Sequence, residues 1–127
     1  MKFGVIASKQ RDGTVCEDTG YVSTTLTSLI KGLCPNQGKN AVIISGGGKG
    51  PETIAIDYAN QNGFEVERVI PHIATLGHEK AFIARNRKIV ETCDVLVVYW
   101  TGDNHHVLAA LNDAAFMRRP VVLFSLP

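Results

Sequence analysis

The stretch NAVIISGGGKGPETIAIDYANQNGFEVERVI, residues 40–70, decides the fold because it holds a strand, a glycine loop, a helix and a second strand in that order. Residues 40–45 and 64–70 are short runs with the β-branched and aromatic residues typical of strands. Between them, the apolar residues of 52–62 recur at the helical period. This order predicts two parallel strands joined by a right-handed crossover.

The same alternation continues on both sides of this stretch. Further strand-like runs occupy 2–8, 94–100 and 120–126, and further helical periods occupy 21–31, 78–93 and 105–118. The pattern predicts a Rossmann-like three-layer α/β sandwich with a five-stranded parallel sheet, order 3-2-1-4-5, as a single domain over residues 1–127. The third strand carries three charges and is expected at an edge. The fifth strand has no helix after it, so we expect its edge to contact a second copy in a homodimer or higher homo-oligomer.

Composition narrows the class of protein. The chain has 127 residues, 45% of them hydrophobic and 20% charged, which suits one buried core. The net charge of +1 disfavours a nucleic-acid partner, and no apolar run approaches the roughly 18–20 residues of a membrane helix. Cys16, Cys34 and Cys93 form no Cys-x-x-Cys pair, which favours reduced thiols in a cytoplasmic protein.

The loop SGGGKGPET, residues 45–53, contains four glycines between a strand and a helix. Glycines let backbone N–H groups approach an anion, and the helix N-terminus adds a positive partial charge. The Walker A pattern fails because Pro51 follows Gly50 and Lys49 precedes it. The dinucleotide pattern fails because Ser45 stands where its first glycine belongs. A phosphate-binding loop of another kind and a plain turn remain as alternatives.

Three blocks follow one another in an informative order. The first is Ser45, Gly46, Gly47, Gly50, Ala55, Ala59 and Gly63, the second is Gly77, Arg85 and Asn86, and the third is the strand DVLVVYW at 94–100. In this order they resemble the SLOG superfamily, which includes the Lonely Guy phosphoribohydrolases, DNA-processing protein A and the small YspA-like proteins. The resemblance covers roughly residues 41–123 and is greatest to the single-domain YspA-like branch.

This resemblance implies that the strand ends bind a nucleotide or a nucleotide-derived phosphosugar, with no separate cofactor. Arg85 would pair with a phosphate, and Asn86 would fix a loop backbone or a ribose hydroxyl. Arg85→Ala would then abolish binding and leave the fold intact. The expected ligand-binding residues are Ser8, Lys9, Ser45, Gly46, Gly47, Lys49, Gly50, Thr53, Arg85, Asn86, Thr101, Gly102, Asp103, His105 and His106. Trp100 either stacks on a base or packs in the core.

The segment after the fourth strand departs from the phosphoribohydrolase branch. There the loop reads Pro-Gly-Gly-x-Gly-Thr-x-x-Glu, and the glutamate belongs to the catalytic set. Here Ala109 stands at that position, which argues against N-glycosidic hydrolysis. Asp103 and Glu52 are carboxylates on nearby loops that could substitute, so catalysis is left undecided.

The adjacent residues His105 and His106 have three interpretations. A metal site is disfavoured because neighbours on a helix point about 100° apart and no His-x-x-x-His pair exists. They can instead donate hydrogen bonds to a phosphate or serve as an acid or base, or they lie solvated behind an N-cap at Asn104 or Asp103.

Three functions therefore compete. The first is a domain that binds a nucleotide-like ligand in order to sense, carry or sequester it, and the second is a phosphoribohydrolase-like enzyme. The third is single-stranded DNA binding, which the near-neutral charge weighs against.

Overall fold

The structure is a computed structural model that describes residues 1–34 and 39–127. Its elements are β1 (Lys2–Ala7), α1 (Thr19–Leu33), β2 (Val42–Ser45), α2 (Pro51–Gln61), β3 (Glu65–Arg68), α3 (Ile73–Leu76), α4 (His78–Thr92), β4 (Val95–Trp100), α5 (His105–Phe116) and β5 (Val121–Ser125). The five strands and four longer helices that the sequence predicts are confirmed. The short helix α3 is an addition, within the loop expected between β3 and α4. None of the helices in the described ranges is long and apolar enough to cross a membrane.

The sheet has the predicted topology. All five strands are parallel, in the order β3-β2-β1-β4-β5. Val5 on the central strand β1 lies opposite Ser45 of β2 on one side and Val97 of β4 on the other. Strand order reverses between β1 and β4, so a crevice is expected beyond their carboxyl ends.

Helices cover both faces of the sheet. On one side α1 and α2 enclose a core that includes Val5 and Ile43, and on the other α4 and α5 enclose a core that includes Ile6 and Ile44. Successive strand residues point to opposite faces, and here both members of each pair are fully buried. The strands therefore read as continuous apolar runs without alternation.

Side-chain caps fix where the helices begin. The Tyr21 backbone N–H donates to Oδ1 of Asp18 at the start of α1, at 3.0 Å. The Val107 backbone N–H donates to Oδ1 of Asn104 at the start of α5, also at 3.0 Å. Pro51 occupies the first turn of α2, where its missing N–H costs no hydrogen bond. The N-termini of α2 and α5 both follow the carboxyl ends of strands, β2 and β4 respectively.

The β5 edge is less covered than the centre of the sheet. Leu123 on β5 is 53% exposed, and Leu108 on the neighbouring helix α5 is 52% exposed. This apolar surface lies where we expect the contact between copies of the chain, and that contact stays a prediction.

Gly50, which precedes α2, has no room for a side chain. Its φ is 91° and its ψ is −138°, and a Cβ there would lie 2.7 Å from Val15 Cγ1 and 3.0 Å from the Cys16 carbonyl oxygen. We expect Gly50→Ala to lower the free energy of unfolding by about 1–3 kcal/mol because this backbone conformation strains any L side chain. Urea denaturation measures the change.

The matched control is Gly32→Ala in α1. Gly32 is exposed, and a Cβ there meets no heavy atom within 4 Å. Alanine should raise the free energy of unfolding by about 1 kcal/mol because it favours the helix over glycine. Equal stabilities for Gly50→Ala and the parent chain would contradict the geometry of the loop.

Candidate functional site

A crevice of about 500 Å³ lies at the carboxyl ends of β1 and β2. Its walls come from the loop after β1, the glycine loop with the start of α2, helix α4, and the start of α5. The residues that line it are Ala7, Ser8, Lys9, Gly48, Glu52, Phe82, Arg85, Asn86, Asn104 and His106. The volume is within the range of small-molecule sites.

The two hydroxyl side chains of the glycine loop form hydrogen bonds with its own backbone. Ser45 Oγ donates to the Glu52 carbonyl at 3.0 Å and accepts from the Gly47 N–H at 3.2 Å. Thr53 Oγ1 donates to the Gly48 carbonyl at 2.7 Å. Both hydroxyls thus hold the loop in shape, a role distinct from the ligand contact expected of them.

A buried ion pair forms the floor of the crevice. Glu52 is 4% exposed and Arg85 is 7% exposed. Arg85 Nη1 lies 3.2 Å from Glu52 Oε1, and Nη2 donates to Oε2 at 3.3 Å. Asn86 Oδ1 accepts from Arg85 Nε at 3.1 Å and from Nη2 at 2.8 Å. The resemblance implies a phosphate as the partner of this guanidinium, whereas its partners in the structure are a carboxylate and an amide.

Glu52 also occupies the anion position of the glycine loop. Its Oε1 accepts from the Gly48 N–H at 3.3 Å. Burial raises the pKa of the Glu52 carboxyl, and the attraction of Arg85 opposes that rise. Gly46 lies directly beneath the guanidinium, since a Cβ there would meet three atoms of Arg85 within 2.7 Å. Glu52, which the sequence offered only as one substitute carboxylate, is therefore a central group of the crevice.

An aromatic group lines the crevice beside this pair. The Phe82 ring lies 6.4 Å from the rings of both His78 and His106 and is nearly parallel to each, at 18° and 24°. The Arg85 guanidinium lies over Phe82, 5.0 Å from the ring centroid. The helical period of residues 78–93 predicts Phe82 on the apolar face of its helix. Periodicity alone does not separate the rim of a crevice from the core. Trp100 instead packs against the core beneath α4 and α5.

The residues of the segment after β4 line two different cavities. His106 lines the crevice, and burial, followed by the charge of His105, lowers the pKa of its imidazole. Thr101 and Asp103 line a smaller adjoining hollow of about 230 Å³, with Lys9 between the two cavities. His105 turns outward, and its Nε2 lies 3.3 Å from the Glu79 carboxylate. Gly102, at φ 91°, makes the turn before α5.

Three exposed cations lie around the carboxyl ends of β1, β2 and β3: Lys9, Lys49 and Arg68. We call them the cationic row. The Arg68 guanidinium lies against Gly47, where the lack of a side chain leaves it space. Within residues 1–34 and 39–127, no carboxylate forms an ion pair with any of the three. From the sequence, Arg68 is only one of the three charges that predict an edge strand.

A solved structure of similar fold is that of DNA processing protein A from Helicobacter pylori, described for its unique single-stranded DNA binding mode. The similarity covers 100% of this chain and 65% of that chain, with a TM-score of 0.60 and 21% sequence identity. It agrees at the level of fold with the resemblance to the SLOG superfamily. No family model matches this chain, and no curated protein matches its sequence.

This comparison corrects one expectation. The prediction that a nucleic-acid partner is disfavoured is wrong, because a neighbour in fold is a protein with a single-stranded DNA binding mode. Net charge does not describe the surface that a nucleic acid would contact. A net charge of +1 is a sum over the whole surface, whereas a nucleic acid meets the local charge, which here includes the cationic row.

Proposed function

We propose that this chain binds single-stranded DNA, with the phosphates of the strand on the cationic row and one nucleotide unit entering the crevice. The observation that carries the proposal is a crevice of about 500 Å³ lined by Lys9 and by the aromatic ring of Phe82. The exposed Lys49 follows Gly48 of its lining in the sequence, and Arg68 lies against the neighbouring Gly47. The similarity in fold to DNA processing protein A supports it.

The two parts of the site match the two parts of a nucleotide. Cations without carboxylate partners attract phosphates and release their counterions on binding. Phe82 offers a ring on which any base can stack, as in proteins that bind single strands without sequence preference. A duplex hides its bases, so a site of this kind favours single strands.

Glu52 determines which part of the nucleotide enters. Its carboxylate lies on the floor of the crevice and already accepts the Gly48 N–H. A phosphate at that point would meet a negative charge, whereas a base or a sugar hydroxyl would meet hydrogen-bonding groups of Glu52 and Asn86. The base and sugar are therefore placed inside the crevice and the phosphates outside it.

A free nucleotide is the second candidate. The crevice is closed on several sides by β1, the glycine loop, α4 and α5, and about 500 Å³ accommodates a single nucleotide. The same cations would then hold its phosphate.

The test is fluorescence anisotropy of a labelled single-stranded oligonucleotide titrated with the protein over a range of salt concentrations. The combined variant Lys9→Gln, Lys49→Gln and Arg68→Gln should bind more weakly. Its slope of log K against log salt should be shallower by about 2, since each neutralised phosphate of a single strand contributes about 0.7.

The matched control removes three charges elsewhere, by Lys31→Gln, Lys39→Gln and Arg118→Gln. These residues lie toward the amino ends of the strands: Lys31 is in the last turn of α1, Lys39 precedes β2, and Arg118 lies between α5 and β5. Their combined variant should keep the parent slope. Equal slopes for all three proteins would reject the cationic row. Competition by a deoxynucleoside monophosphate, with no binding of the oligonucleotide, would favour the second candidate.

A further inference from the structure

Three metal-ligating side chains meet at the mouth of the crevice. Glu79 comes from the first turn of α4, and His105 and His106 begin α5. One ligand atom from each residue lies within 4.8 Å of the others. The two helices carry these residues together although 26 positions separate Glu79 from His105 in the sequence.

The separations are close to those of a coordination sphere. Metal–nitrogen and metal–oxygen bonds of about 2.0–2.1 Å in a tetrahedron place neighbouring donors about 3.3 Å apart. His105 Nε2 and Glu79 Oε1 already lie 3.3 Å apart. The longest of the three separations needs to close by at most about 1.5 Å. Glu79 and His105 are both 69% exposed and can turn without disturbing the core.

A second observation concerns His106. Its Nε2 atom is buried and has no hydrogen-bond partner among the described residues. Its ring lies 4.1 Å from that of His105. The side chains of these helical neighbours thus converge, whereas the period of the helix had suggested that they diverge. The sequence gives no sign of the third donor, because only the packing of α4 on α5 brings Glu79 beside the histidines.

We propose that Glu79, His105 and His106 bind a divalent transition ion of the zinc class at the mouth of the crevice. Two imidazole nitrogens and one carboxylate oxygen are a donor set that zinc accepts, and the remaining position is open to water. If single-stranded DNA occupies the crevice as proposed above, a phosphate oxygen can fill that position. Binding of the ion itself does not depend on that function.

The charges around the three ligands limit their affinity for a cation. Both helix N-termini present positive partial charge, which disfavours a cation, and Arg85 adds a full charge nearby. The carboxylate of Glu79 offsets part of this repulsion. We therefore expect binding weaker than that of a structural zinc site.

The experiment is calorimetric titration of the full chain with Zn²⁺ after treatment with EDTA, in the absence of any nucleic acid. One ion should bind per chain, and Glu79→Gln, His105→Ala and His106→Ala should each weaken binding by at least tenfold. Co²⁺ should give the intense visible absorption of a four-coordinate ion. His72→Ala is the matched control, since His72 is an exposed histidine away from the cluster, and it should leave binding unchanged.

The experiments distinguish loss of the metal ligands from loss of structure. No heat from Zn²⁺ at 100 µM, or equal binding by the parent and His106→Ala, would overturn the site. Because Glu79 and His105 are exposed, their substitutions should leave the unfolding curve unchanged, so a loss of binding reports on the ligands. Failure of Zn²⁺ binding would leave the oligonucleotide result unaffected, and the reverse holds as well.

Discussion

Arg85→Ala should lower the free energy of unfolding by about 3–5 kcal/mol at neutral pH, although the residue lies at a ligand crevice. Arg85 and Glu52 form an ion pair whose side chains are each 6% exposed. Removing one partner of such a pair leaves the other charge buried without compensation. The resemblance predicts that this variant keeps its fold. That expectation treated Arg85 as a ligand contact without an internal partner, and the buried pair contradicts it.

The loss of unfolding free energy in Arg85→Ala should depend on pH in a defined direction. Burial raises the pKa of Glu52, and the attraction of Arg85 is the largest opposing influence, so its removal raises this pKa further. A carboxyl whose pKa is higher in the folded state stabilises the fold fully below its unfolded pKa, about 4.3. That stabilisation is lost as the pH rises through the folded value. The difference between Arg85→Ala and the parent should therefore be smallest near pH 4 and largest near pH 8.

Urea denaturation of a double-mutant cycle measures the pair. Glu52→Gln and Arg85→Met should each destabilise the fold, and the double variant should be more stable than the sum of the two losses predicts. Glu52→Gln should be the milder change, because Asn86 keeps the Arg85 guanidinium as its hydrogen-bonding partner there and loses it in Arg85→Met. Additive losses, or an Arg85→Ala variant as stable as the parent at pH 8, would contradict the buried pair.

Phe82→Ala should weaken binding of a single-stranded oligonucleotide about tenfold to hundredfold. Stacking of one base on an aromatic side chain contributes about 1–3 kcal/mol, which alanine removes. Phe82 lines the crevice and is partly exposed, so a base can stack on the part of the ring that the Arg85 guanidinium does not cover. Phe82→Trp should retain the affinity because tryptophan preserves the stacking surface. Fluorescence anisotropy at one fixed salt concentration gives the comparison.

Phe116→Ala is the matched control for this change. Phe116 is 87% exposed and ends α5, away from the crevice. Its removal should leave the affinity unchanged. A parent-like affinity for Phe82→Ala, or equal losses in the two variants, would place the base elsewhere. Unfolding curves for both variants show whether any loss of affinity comes from loss of structure.

The fold follows from the sequence because its signals are local. Three signals each act within a few residues. They are the run VIIS of β2, Pro51 at the start of α2 and Gly63 after the end of α2. Strand alternating with helix then leaves a parallel, right-handed arrangement as the expected topology. The place of the crevice follows in turn, because parallel strands all end at the same edge of the sheet. The sequence alone determined these features.

The chemistry of the crevice was decided only by the tertiary structure. Glu52 and Arg85 are 33 positions apart, and no periodicity links the start of one helix to the middle of another. Three further features likewise depend on how separate elements pack. They are the position of Phe82 at the rim of the crevice, the contact of Arg68 with Gly47, and the contact of Glu79 with the paired histidines. A helical period says which face of a helix is apolar, and composition gives a net charge. Neither says which side chains from different elements come within hydrogen-bonding distance, which is what determines the partners of a charged group.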